Sequence, residues 1–97
     1  MSTPENRVKA KCTAILKKHK AFYFFPAMGL YGRRGVPDII CCVKGRFLGI
    51  ECKAGKGQLT DMQMHTLAQI EDAGGVSIVV RESNIDLLKD LMGALSG

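Results

Sequence analysis

The sequence predicts an α/β fold on three observations. Four short apolar or aromatic runs have strand length, three longer stretches repeat apolar residues at helical spacing, and turn residues separate them in the order α-β-β-β-α-β-α. With 97 residues and 46% hydrophobic content, the chain supports one ordinary core without disulfide staples and is expected to be a single domain, 1–97. No apolar run approaches the ~20 residues of a membrane helix, and "MSTPENRVKAKC" lacks the apolar segment of a signal peptide. A soluble, cytoplasmic protein is expected.

The first element, "STPENRVKAKCTAILKKHK", places Thr3 as N-cap and Pro4 at the first helical position, with Val8, Cys12, Ile15 and Leu16 along one face. "AFYFFPA" is short and aromatic and stops at Pro26, which predicts a strand near a sheet edge; its phenylalanines are expected in the core rather than as a base-stacking platform. "MGLYGRRG" is a glycine-punctuated loop with two arginines. Two strands follow, "PDIICCV" and "RFLGIECKA", separated by Lys44-Gly45. "TDMQMHTLAQIEDAGG" predicts a helix capped by Thr60 and stopped at Gly74, then the strand "VSIVV" and a last helix, "NIDLLKDLMGAL".

The four cysteines (Cys12, Cys41, Cys42, Cys52) form no C-x-x-C pair, so buried reduced thiols are expected rather than a zinc site. His19 and His65 are expected at the surface. Fourteen basic against nine acidic side chains give a net charge of +5, which favours a polyanionic partner.

Counting along the hairpin brings two acids together. If Lys44-Gly45 is a two-residue loop, Val43 pairs with Arg46 and every further pair has position numbers summing to 89. Asp38 then faces Glu51, with Cβ atoms roughly 4.5 to 5.5 Å apart, and Lys53 projects from the same side. Like charges facing each other across a strand pair destabilise it unless something neutralises them. A divalent cation would, and hard carboxylate oxygens suit magnesium, which needs only one or two of them. A three-residue loop would shift the register and separate the pair.

"PD" followed by "ECK", together with "GVPD", "IECK" and a glutamine-bearing helix, resembles the PD-(D/E)XK nuclease signature. The arrangement is similar to the virus-type replication-repair nuclease (VRR-NUC) family of the stand-alone viral kind. The resemblance runs from Glu5 to "GGVSIVV". It implies the restriction-endonuclease-like PD-(D/E)XK fold, a mixed central sheet flanked by helices. It also implies a Mg²⁺- or Mn²⁺-dependent endodeoxyribonuclease that hydrolyses phosphodiester bonds. Asp38 and Glu51 would be metal ligands, joined by the Cys52 carbonyl, and Lys53 would position or help activate the attacking water. A lysine–carboxylate cluster that merely steadies the hairpin is the plainer alternative.

Glu5 shares a helix face with Val8, Cys12 and Ile15 and matches a further metal ligand of related nucleases; an acid in the first turn also stabilises the helix through its macrodipole. Gln63 matches the family's glutamine among the catalytic residues, yet Thr60-x-x-Gln63 is also a capping box. Tyr31, Arg33, Arg34 and Lys56 are candidate DNA contacts, with a solvated loop as the alternative for the arginines. Lys9, Lys11, Lys17, Lys18 and Lys20 are expected mostly on the exposed side of the first helix, either as a solvated face or as contacts to DNA.

The expected substrate is branched DNA, in particular a four-way (Holliday) junction met in DNA repair or replication, cut by a homodimer. The final helix, with its stripe of Ile85, Leu88, Leu91, Met92 and Leu95, and the aromatic strand are expected to offer spare apolar surface for pairing. Other readings are a nicking or flap nuclease and a non-catalytic nucleic-acid-binding domain of the same fold. A sequence-specific restriction enzyme needs a recognition insertion for which 97 residues leave little room.

Overall fold

The computed structural model describes residues 2–27 and 32–97. Helix α1 (Pro4–Lys18) begins where Thr3 accepts a hydrogen bond from the Asn6 N–H, and it buries Val8, Cys12, Ile15 and Leu16. Strands β1 (Phe22–Phe24), β2 (Ile39–Val43) and β3 (Arg46–Cys52) follow, then α2 (Asp61–Asp72), β4 (Val76–Val80), a 3₁₀ turn at Glu82–Asn84 and α3 (Ile85–Ser96). The sheet order is β1-β2-β3-β4, with β1–β2 and β2–β3 antiparallel and β3–β4 parallel. The sheet is therefore mixed, as expected.

Lys44 and Gly45 both have positive φ, at 51° and 78°. That is the type I′ turn whose twist suits a two-residue hairpin loop, and Gly45 takes the second position without the Cβ strain another residue would meet. The turn sets the register: Val43 pairs with Arg46 and Ile39 with Ile50. At the end of α2, the Gly75 N–H reaches back to the Ile70 carbonyl and the Gly74 N–H to that of Glu71. This double bond pattern closes the helix and turns the chain into β4.

One sheet face carries Ile39, Cys41, Val43, Leu48, Ile50, Cys52 and Val80. They pack with Val8, Cys12, Ile15 and Leu16 of α1 and with Leu88, Met92 and Leu95 of α3 in one buried cluster. Each fully buried aliphatic side chain contributes about 1.5–3 kcal/mol through removal from water. The other face carries α2, which packs mainly on β4.

Three expectations are corrected here. The α3 stripe is not spare surface: Leu88, Met92 and Leu95 are buried and Ile85 and Leu91 pack against them, because α3 lies across α1 and β4. Of the large hydrophobic residues of α3 only Leu87, outside the stripe, is exposed. The aromatic strand is not core either. Phe22 is 70% exposed and Phe24 47%, Phe25 is exposed, and only Tyr23 packs on the core. β1 is a three-residue edge strand, and its alternation turns Phe22 and Phe24 onto the face that α2 leaves open. The same alternation exposes Cys42 beside buried Cys41.

Cys12, Cys41 and Cys52 are buried free thiols, as expected. The Cys12 and Cys52 sulfurs lie 3.9 Å apart. The Cys52 thiol is pushed up by its bond with Cys12 and by burial, so it stays protonated. His19 is half-buried and bonds Ser96 Oγ at 2.9 Å, while His65 is exposed.

Candidate active site

The hairpin register puts Asp38, one residue before β2, opposite Glu51 near the end of β3. Asp38 is fixed by its backbone neighbours: the Cys52 N–H donates to Asp38 Oδ2 at 2.8 Å. The loop that delivers it approaches α2 closely at Gly35, where φ is 76° and an added Cβ would come within 2.6 Å of Met62 Cγ. A side chain there would push the Pro37–Asp38 segment away from its place.

Glu51 is 2% exposed, and its Oε2 is buried without a hydrogen-bond partner. The neighbouring Asp38 carboxylate can bond it only if one of the two carries a proton. Burial first, and then the bond to and charge of Asp38, push the Glu51 carboxyl from 4.5 up to about 9; Lys53 opposes the shift and Glu5 adds to it. An unpartnered carboxylate oxygen facing a second carboxylate is the donor set a hard divalent cation satisfies. Among the described residues no three His, Cys, Asp or Glu side chains close into one ligand cluster. Magnesium does not require one, since it keeps several waters.

The remaining candidates fall at different distances from this pair. Lys53 is half-buried just past β3, its N–H bonded to the Val80 carbonyl at 3.0 Å, and its charge acts on Glu51. Glu5, half-buried in the first turn of α1, acts on Glu51 through its charge. Gln63 is occupied in the capping box: its Oε1 accepts from the Thr60 N–H at 3.0 Å while its own N–H donates to Thr60 Oγ1 at 3.1 Å. That bond fixes the side chain at the cap, with the amide nitrogen and one lone pair of Oε1 left for other partners. Arg33 donates to Gln69 of α2, and Arg34 is exposed. Tyr31 lies outside the described residues.

Two features went unseen in the sequence. Lys9 of α1, expected on the solvated side, instead places its Nζ 4.0 Å from Asp38 Oδ1. Its only signal in the sequence is that it follows Glu5 by one helical turn. The turn carrying Lys56 is held from β4's end: Glu82 Oε1 accepts the Gly55 N–H at 2.8 Å and Arg81 Nη1 donates to the Gly55 carbonyl at 3.0 Å. The bonds from its own backbone N–H and from Gly55 hold the Glu82 carboxyl below the usual range.

No protein-family profile and no curated protein matches the sequence. Among solved structures, one described as a "VRR_NUC domain" superposes with a TM-score of 0.73 over 92% of this chain and 97% of that one, at 18% identity. The chain therefore has the fold of a VRR_NUC domain.

Proposed function

We propose that this chain is a nuclease domain spanning 1–97, a metal-dependent endonuclease that hydrolyses phosphodiester bonds in branched DNA inside the cell. The observation that carries the reading is Glu51, buried with one unpartnered oxygen directly opposite Asp38 and next to Lys53. A fold gains nothing in stability from such a pair, since a buried carboxyl with an unpartnered oxygen costs desolvation and, once ionised, it would repel Asp38 across the strands. A bound Mg²⁺ or Mn²⁺ would neutralise both carboxylates and lower the pKa of a bound water. Asp38, Glu51 and the Cys52 carbonyl would hold it, with Glu5 approaching from α1. Lys53 holds an ammonium beside the carboxylates, where it orients the attacking water and opposes charge building up on the phosphate. Gln63, tied to its cap through Oε1, offers its amide nitrogen as a donor at the margin of the site.

The net charge of +5 favours a DNA backbone as partner. Arg33, Arg34 and Lys56 supply candidate phosphate contacts. Arg33 would exchange its bond with Gln69 for a phosphate oxygen. Replacing Arg33 and Arg34 together by alanine is expected to lower the slope of log K against log salt by up to ~2 for a duplex. An unchanged slope returns the loop to a solvated surface.

A homodimer acting on a four-way junction fits a small domain with one site, because two symmetric cuts need two sites at fixed separation. The open aromatic face around Phe22 and Phe24 supplies apolar surface for pairing. Cleavage of junction, flap, nicked and single-stranded DNA with Mg²⁺ and with Mn²⁺, alongside light scattering, tests this. Preference for the junction at about twice 10.6 kDa supports it. A monomer that prefers flaps contradicts it.

A further inference from the structure

We infer that Lys9 is a displaceable counter-ion of the carboxylate pair: it holds Asp38 in the metal-free protein and turns to a substrate phosphate when a divalent cation takes its place. The inference rests on the metal-dependent nuclease reading above. Lys9 and Asp38 come from α1 and from the loop before β2, 29 and 23% exposed at their side chains, with Nζ and Oδ1 4.0 Å apart. Among the described residues only one other ion pair exists, the local Asp86–Lys89 pair on α3. Lys9 passes over a partner nearer in sequence. Glu5 stands one helical turn before it, at the spacing where Glu–Lys pairs form on a helix surface, yet the ammonium reaches across to Asp38.

The reach has an electrostatic cause. Asp38 gives Oδ2 to the Cys52 N–H, which leaves Oδ1 for the ammonium, and the buried carboxyl of Glu51 beside it brings no cation of its own to compete. A lysine stem spans such a gap readily, laying its methylenes along the fold while its head keeps part of its hydration. The pair is long and half-exposed, which makes it weak and exchangeable rather than a buried lock. A divalent cation between the carboxylates would remove the negative field that holds the ammonium and would repel it. The flexible head then has three donors to offer, and the nearest new anion in a DNA complex is the phosphate at the same cation. Lys9 is thus a positioning residue contributed by helix α1 and not by the hairpin that carries Lys53.

The test compares wild type with Lys9→Met and Lys9→Arg, two variants that keep the length of the stem. Calorimetric titration of the metal-free proteins with Mn²⁺ is expected to show binding ~5-fold tighter for Lys9→Met, the scale of losing one exposed competing ion pair. Binding to four-way junction DNA is measured against salt, once with EDTA and once with Ca²⁺. With EDTA the salt slopes of wild type and Lys9→Met are expected to coincide, because Lys9 is then held by Asp38. With Ca²⁺ the Lys9→Met slope is expected to be shallower by ~0.9, one phosphate contact, and Lys9→Arg to restore it. Equal Mn²⁺ affinity in the two proteins, or equal salt slopes with Ca²⁺, overturns the inference and leaves the nuclease reading intact. A wild-type protein that takes up no Mn²⁺ overturns both.

Discussion

Cleavage is expected to vanish, by at least ~10³-fold, when Asp38 or Glu51 is replaced by alanine, while the protein stays folded. Each substitution removes one of the two carboxylates that face each other at the end of the hairpin, so only one of the pair is left to hold the cation beside the Cys52 carbonyl. Asp38→Ala also strips the acceptor from the Cys52 N–H and the counter-charge from Lys9. Glu51→Ala leaves the Asp38 contacts in place but opens a small void where Glu51 is buried. Lys53→Ala should behave differently: metal uptake persists and turnover falls by ~10²-fold or more, since the lysine acts on the water and phosphate rather than on the cation. Calorimetry and single-turnover cleavage of the same proteins separate the cases. A Glu51→Ala protein that cuts at the wild-type rate would remove this pair from the chemistry.

The second large effect is on stability without metal. In the unfolded chain Glu51 ionises near 4.5, whereas burial and Asp38 keep it protonated up to about 9 in the fold. Between those values the folded protein binds one proton more than the unfolded one, so stability falls as pH rises, by about 1.4 kcal/mol per unit while the difference is complete. The contribution is fully present below about 4.5 and is lost as pH climbs toward about 9. Glu51→Gln carries no such proton. Urea unfolding in EDTA at pH 5, 7 and 8.5 should show wild type losing several kcal/mol relative to Glu51→Gln across the series. Saturating Mn²⁺ should restore the wild-type protein at the upper end. A constant difference between the two proteins at all three pH values would mean that Glu51 is ionised throughout.

Much of this architecture is legible in the sequence because its signals are local. Thr3 and Thr60 announce helix starts through their own side-chain bonds, and Lys44-Gly45 sets a turn whose length alone decides which residues face each other. Counting from that turn places Asp38 against Glu51 because strand periodicity admits no other face. What the sequence does not carry is coverage. The alternation of "FYFF" says that two faces exist, but only the position of α2 decides that one of them stays open and leaves Phe22 exposed. The α3 stripe has the converse outcome, since α1 and β4 happen to fill it. Gln63 answers a capping signal and a family position at once, and the geometry shows the cap. Lys9 belongs to a helix whose charge run resembles any solvated face. Its partner lies 29 positions away, and no helical periodicity encodes a contact of that kind.

The most direct measurement of the central claim is nicking of supercoiled plasmid by the wild-type protein with Mg²⁺ or Mn²⁺, run beside EDTA and beside Glu51→Gln. Conversion to open circles that requires the cation and disappears with Glu51→Gln is the expected result. Binding of the plasmid without any cation-dependent nicking would contradict it and leave a nucleic-acid-binding domain that keeps a nuclease fold.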